Sequence, residues 1–169
     1  MPDNKSSFGN RGSVTEKKED GSPSVDLDTF NFYSDKEKKI VFRELFDTTA
    51  EKIAEKFRSG TNIVTNSQIR RLYDEVKRLD QNLSVAPEAW QNIVPYIGMV
   101  KSKVIYNVAR VIEKKESEKD VYENLSKFIK RGIKLVEDKK DFHVFTALFE
   151  AVYGFYYKIY VEETRRKQQ

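Results

Sequence analysis

Residues 95–115, PYIGMVKSKVIYNVARVIEKK, decide how the rest of the chain is read. On a helical wheel, Tyr96, Ile97, Val100, Val104, Ile105, Val108, Val111 and Ile112 spread over more than half the circumference. A surface helix carries a narrower apolar stripe, so this spacing predicts a helix packed on several sides. One strip breaks the pattern: Lys103, Asn107, Arg110 and Lys114, at i, i+4, i+7 and i+11. A cationic seam of that kind either pairs with carboxylates inside the protein or lines a groove open to an anionic partner.

The segments on either side also read as helices. Ser34-Asp-Lys-Glu37 has the form of a capping box, in which the serine oxygen and the glutamate side chain satisfy each other's free amides. Ile40, Val41, Phe42, Leu45, Phe46, Ile53, Ala54 and Phe57 then predict a first helix to about Arg58, stopped by Ser59-Gly60. A second box, Thr65-Asn-Ser-Gln68, is flanked by Val64 and Ile69 at the positions of a hydrophobic staple. Ile69, Leu72, Tyr73, Val76 and Leu79 give the buried face of this helix, which should end near Asn82.

Pro87 suits the first turn of a third helix, PEAWQNIV, and Pro95 predicts a break or kink near Val94 before the central helix. Ser117-Glu-Lys-Asp120 starts a helix to about Val136. The last helix runs from about Asp141 to Glu163 and is rich in aromatic side chains. No run of alternating β-branched residues bounded by turns is present, so no strand is expected. The fold class is all-α: a five- or six-helix bundle with a disordered N-terminal tail. Residues 1–33 form that polar tail, with Phe30, Phe32 and Tyr33 tethering its end, and residues 34–169 form a single helical domain.

Composition narrows the function classes. The chain has 169 residues and no cysteine, which excludes disulfides and thiolate metal sites. The start, MPDNKSSFGN, is not a secretory signal, and the two most apolar helices carry internal charges that argue against membrane spans. A soluble, cytoplasmic protein is expected. Residues 1–33 hold four Lys/Arg and six Asp/Glu, so within a net charge of +4 the body carries +6. A basic folded body is compatible with a nucleic-acid partner.

No catalytic constellation stands out. His143 is the sole histidine and has no Cys or clustered carboxylate at ligand spacing, which makes it a surface or rim residue. Neither GxGxxG nor a Walker-type GxxxxGK[ST] occurs. No enzyme activity, cofactor or metal is expected. The aromatic last helix reads as core or as a subunit contact before it reads as a base-stacking platform, with Tyr157 the ring best placed for exposure.

The basic residues say more. Arg70, Arg71, Lys77 and Arg78 face away from the core of the second helix, but Asp74 and Glu75 can pair with them at helical spacing. In the fourth helix Lys127, Lys130, Arg131 and Lys134 stand at i, i+3, i+4 and i+7, opposite Val121, Leu125, Phe128, Gly132 and Val136. Like charges at these spacings cost up to about 0.5 kcal/mol per pair, a cost that regularly spaced phosphates would reverse. Together with Lys103, Arg110 and Lys114, the stripe points to nucleic-acid backbone, without base specificity. The seam is expected to continue the stripe if the two helices are antiparallel neighbours.

The segment TNSQIRRLYDEVKRL (Thr65 to Leu79), followed by PYIGMVKSKVIYNVAR, resembles the helical small subunit of the Csm effector complex of type III-A CRISPR systems. The likeness covers about Lys52 to Tyr160 and is most specific at T-x-S-Q-I-R, with Y-x-x-A-R (Tyr106 to Arg110) in support. It implies a non-catalytic protein of antiviral defence, present in more than one copy along a ribonucleoprotein filament. It also implies contacts to crRNA and target RNA backbone, to other Csm subunits and to copies of itself, with catalysis left to neighbouring subunits. By position, Arg70, Lys77 and Arg110 fall in the matching segments as RNA-contact candidates; Lys103, Lys127, Lys130, Arg131 and Lys134 rest on the charge pattern. Two other readings stay open. One is a protein-only helical adaptor or homodimer using the aromatic C-terminal helix; the other is a helix-turn-helix regulator with Gln68 to Arg78 as recognition helix.

Overall fold

The structure, a computed structural model, describes residues 25–168. The tail expected over residues 1–24 therefore lies outside the described residues. Five helices follow one another: α1 (Thr48–Glu55), α2 (Asn66–Val85), α3 (Trp90–Lys114), α4 (Lys119–Lys134) and α5 (Lys139–Arg166). Single 3₁₀ turns, Pro87–Ala89 and Glu116–Glu118, lead into α3 and α4. The expected all-α bundle is what forms.

α5 is its axis. α1 and α2 both pack on α5, while α3 packs on α2 and α4. The aromatic arc of α5 goes inward: Phe142, Phe145, Phe149 and Tyr156 are fully buried. Phe149 meets Phe128 of α4 edge-on, with ring centroids 5.3 Å apart. Gly132 of α4 lies against the Phe145 ring, and a methyl group there would come within 2.0 Å of Phe145 Cε2. A glycine at this position is thus a condition of the close approach of α4 and α5.

Several local expectations are corrected. Residues 34–47 are not helical, and α1 begins only at Thr48. Asp35 takes the backbone amides of Lys39 and Ile40 on its carboxylate, and Lys38 turns through φ 54°. Aspartate competes for main-chain donors in this way, and the loop it closes forestalls the helix. Tyr33 and Val41 form an isolated antiparallel bridge across it. Short strands exist as well: β1 (Arg58–Ser59) and β2 (Asn62–Ile63) pair as a hairpin turned by Gly60 at φ 58°.

None of the three capping boxes closes as expected. The Thr65 hydroxyl donates to Gln68 Oε1 (2.9 Å), and the Thr65 amide goes instead to Tyr122 Oη of α4 (3.1 Å). The staple residues Val64 and Ile69 are nonetheless both fully buried. Side-chain caps come instead from aspartates: Asp47 accepts from the amide of Thr48 at the start of α1, and Asp138 from the amide of Asp141 at the start of α5 (2.9 Å).

α3 also runs unbroken through Pro95. Gln91, whose carbonyl loses its helical donor, and Pro95 are both exposed, so water can take that carbonyl. α3 is one-sided rather than packed all round: it buries Ile93, Ile97, Val100, Val104 and Val108 and leaves Tyr96, Ile105 and Tyr106 exposed.

Residues 25–33, counted with the tail, belong to the core in part. Leu27 joins Phe30 and Phe32 in being buried, the two phenylalanines as expected. Lys38 reaches Asp141, which is also held by the Glu137 amide. Burial works against the charge of Asp141, but that amide and the Lys38 ammonium outweigh it and hold the carboxyl below its ordinary range.

Candidate nucleic-acid interface

α4 is strongly amphipathic. Val121, Leu125, Phe128 and Ile129 are buried, and its basic side chains are left on the other arc. α3 lies alongside in the opposite direction: Ile112 neighbours Glu123 and Ser126, while Lys101 neighbours Ile133 and Lys134. Between the two helices runs an open groove made of two hollows that share Ile105, Lys127 and Lys130. One hollow, of about 460 Å³, gathers Lys101, Lys127, Lys130, Arg131 and Lys134 against one acid, Asp28. The other, of about 360 Å³, has an aliphatic floor of Val108, Ala109 and Ile112.

The four residues of the α4 stripe do not have one environment. Lys127 pairs with Asp28 at 3.4 Å. Arg131 spends its guanidinium on the chain before α1, donating to Phe30 O (2.8 Å), Asn31 Oδ1 (2.7 Å) and Thr29 O (3.3 Å). Lys130 and Lys134 are exposed, and among the described residues neither makes an ion pair. They are the free half of the stripe.

The seam of α3 is also exposed, but it lies on the other flank. Lys103 pairs with Glu75 of α2. Lys101, two residues earlier and so about 160° away round the helix, faces α4. The expected continuity of Lys103, Arg110 and Lys114 with the stripe does not form; Lys101 takes that place. Arg110 and Lys114 remain exposed and make no ion pair among the described residues.

On α2, Lys77 crosses to Glu150 of α5 at 2.6 Å, a contact that raises its pKa, and Arg70 lies 3.6 Å from Asp74. Both stand on the flank towards α5, away from the groove. Of the eight basic residues singled out in the sequence, the structure brings four together: Lys127, Lys130, Arg131 and Lys134. It adds Lys101, whose only sequence signal is its phase with Ile105 and Ile112 on the flank turned to α4.

The remaining candidates are structural. Tyr156 donates its hydroxyl to Val64 O in the core, and burial pushes its pKa up. Tyr153 stacks on Tyr73 and donates to Asn66 Oδ1 (3.1 Å), and Tyr157 is exposed as expected. His143 is exposed and pairs with Asp80 of α2. Among the described residues no group of three His, Cys, Asp or Glu is placed to hold a metal ion, and no helix is long and apolar enough to cross a membrane.

Compared with known proteins, residues 42–163 match the family model described as Csm2 Type III-A. No curated protein and no solved structure gives a significant match.

Proposed function

The chain belongs to the Csm2 Type III-A family, a small subunit of the type III-A Csm complex of CRISPR systems, and on that premise we propose that it binds RNA backbone there without a catalytic role of its own. The observation that carries this reading is the groove between α3 and α4. Lys101, Lys130 and Lys134 stand at its rim, the two α4 lysines unpaired among the described residues, beside a floor that is aliphatic at Val108, Ala109 and Ile112. Lysine ammonium groups on one helical face are point charges suited to phosphates at regular spacing, and they carry no sequence preference. The partners are crRNA and target RNA, neighbouring subunits and further copies of the chain, in a cytoplasmic assembly of antiviral defence. Arg70, Lys77, Lys103 and Arg110 have a lesser part, since three of the four are engaged with carboxylates.

The test is RNA binding by the full chain, alone and within the assembled complex, across a salt series. Changing Lys101, Lys130 and Lys134 to Glu should weaken binding to unrelated RNA sequences alike. The slope of log affinity against log salt should fall by roughly 0.7 for each phosphate that the variant no longer neutralises. Equal affinity of the triple variant and the parent in both settings would remove the reading and leave a protein-only adaptor.

A further inference from the structure

The basic groove holds an acid that belongs to neither of its helices. One hollow gathers five cations and a single carboxylate, Asp28, which arrives from the chain before α1 and lies 3.4 Å from Lys127. The same segment engages Arg131, through Thr29, Phe30 and Asn31. Two of the four cations of the α4 stripe are thus taken up by a piece of the chain itself.

The turn that carries Asp28 is well built. Asp26 closes it: its carboxylate accepts from the Asp28 amide and the Thr29 hydroxyl, each at 2.9 Å, and its carbonyl accepts from the Phe30 amide (3.1 Å). Leu27 and Phe30 are buried, and Phe30 stacks on Phe128 of α4 with ring centroids 6.1 Å apart. Asp28 and Thr29, between them, are exposed. Apolar contacts and Arg131 therefore fix where the turn sits, but the hold of Asp28 on Lys127 is of another kind. Their side chains are 64% and 44% exposed. An ion pair so open to water is weak, and another anion can replace its acid.

We propose that Asp28 is an internal stand-in for an RNA phosphate: it occupies Lys127, and RNA entering the groove gains that lysine only by displacing the carboxylate. Lys127 is then a further phosphate contact beside Lys101, Lys130 and Lys134, masked while the groove is empty. A carboxylate tethered next to its lysine acts at high effective concentration, so a lone phosphate competes with it poorly. A strand already held by the neighbouring lysines is tethered as well and competes on equal terms. The mask thus favours long polyanions over small ones. The inference rests on the proposed RNA binding and adds to it which cation is covered, and by what.

The experiment measures the affinity of the full chain for a labelled oligouridylate, at about 0.1 M salt and along a salt series. Asp28→Asn should bind about two- to fivefold more tightly than the parent, the range that an exposed ion pair spans. Its salt slope should steepen by roughly 0.7, for one more phosphate neutralised on a single strand. Glu162→Gln, at an exposed acid of α5 outside the groove, changes the net charge equally and should shift affinity less than about 1.5-fold, because salt screens distant charges. In a Lys127→Gln background, Asp28→Asn should gain nothing, which separates loss of this pair from any loosening of the turn. With the parent binding RNA, equal affinities of Asp28→Asn and Glu162→Gln, or a gain that survives Lys127→Gln, would overturn the inference and leave the groove reading standing. If neither the parent nor Asp28→Asn binds, alone or in the assembled complex, the groove reading itself fails and the inference falls with it.

Discussion

α3 and α5 look alike in the sequence: both are long, both are rich in apolar residues, and both carry scattered charges. In the folded chain they part. α5 has α1 and α2 on one side and α4 on another, and buries Phe142, Phe145, Leu148, Phe149, Val152 and Tyr156 among them. α3 has neighbours along one stripe only and turns Val94, Met99, Ile105 and Tyr106 to the outside. An apolar arc tells how much surface a helix can bury, while the neighbours within the same chain decide how much it does bury. What is left over is available to other chains.

The contrast can be broken or sharpened by truncating side chains on each helix. Phe149→Ala removes a fully buried ring from the centre of the core and should cost about 3–5 kcal/mol in denaturant unfolding. A cost below about 1 kcal/mol would mean that the α4–α5 core is not packed as described. Gly132→Ala tests the same interface from its opposite side, since the added methyl falls 2.0 Å from Phe145 Cε2. Overpacking of this kind should cost about 1–3 kcal/mol, and a Phe145→Leu background should recover part of it, which a double-mutant cycle would read. Tyr106→Ser on α3 should leave monomer stability within about 0.5 kcal/mol of the parent at concentrations too low for self-association. A destabilisation as large as that of Phe149→Ala would show the outer face of α3 to be core after all.

The order of helices, the inward aromatic arc of α5 and the amphipathic α4 were legible because apolar periodicity is set by burial itself. Residues 34–47 were misread because a capping box and a loop closed by an aspartate use the same residue types. Asp35, one place after Ser34, captures the amides of Lys39 and Ile40, and Ile40 ends up 62% exposed. The Thr65 to Gln68 box fails for a non-local reason, because Tyr122, far along the chain, supplies the partner that the local pattern assigned to Gln68. The basic site was half legible. Spacing on α4 named the stripe, but no spacing on α2 could show that Lys77 would be taken by Glu150, nor on α3 that Lys101 rather than Lys103 would face α4. Those outcomes belong to pairs of helices and appear only when the pairs are formed.

The hold of Arg131 on Thr29, Phe30 and Asn31 has a consequence in time. It joins parts of the chain 101 residues apart at Phe30, and Phe32 likewise reaches Phe145, with ring centroids 6.4 Å apart. The stretch from residue 25 to residue 33 leaves the ribosome well before α4 and α5, and until they follow it has only local partners such as the Tyr33–Val41 bridge. Closing so large a loop is slow compared with forming helix hairpins from neighbouring segments. Docking of this early-made segment is therefore expected to come late, and until then the rings of Phe128 and Phe145 lack the cover that Phe30 and Phe32 give them.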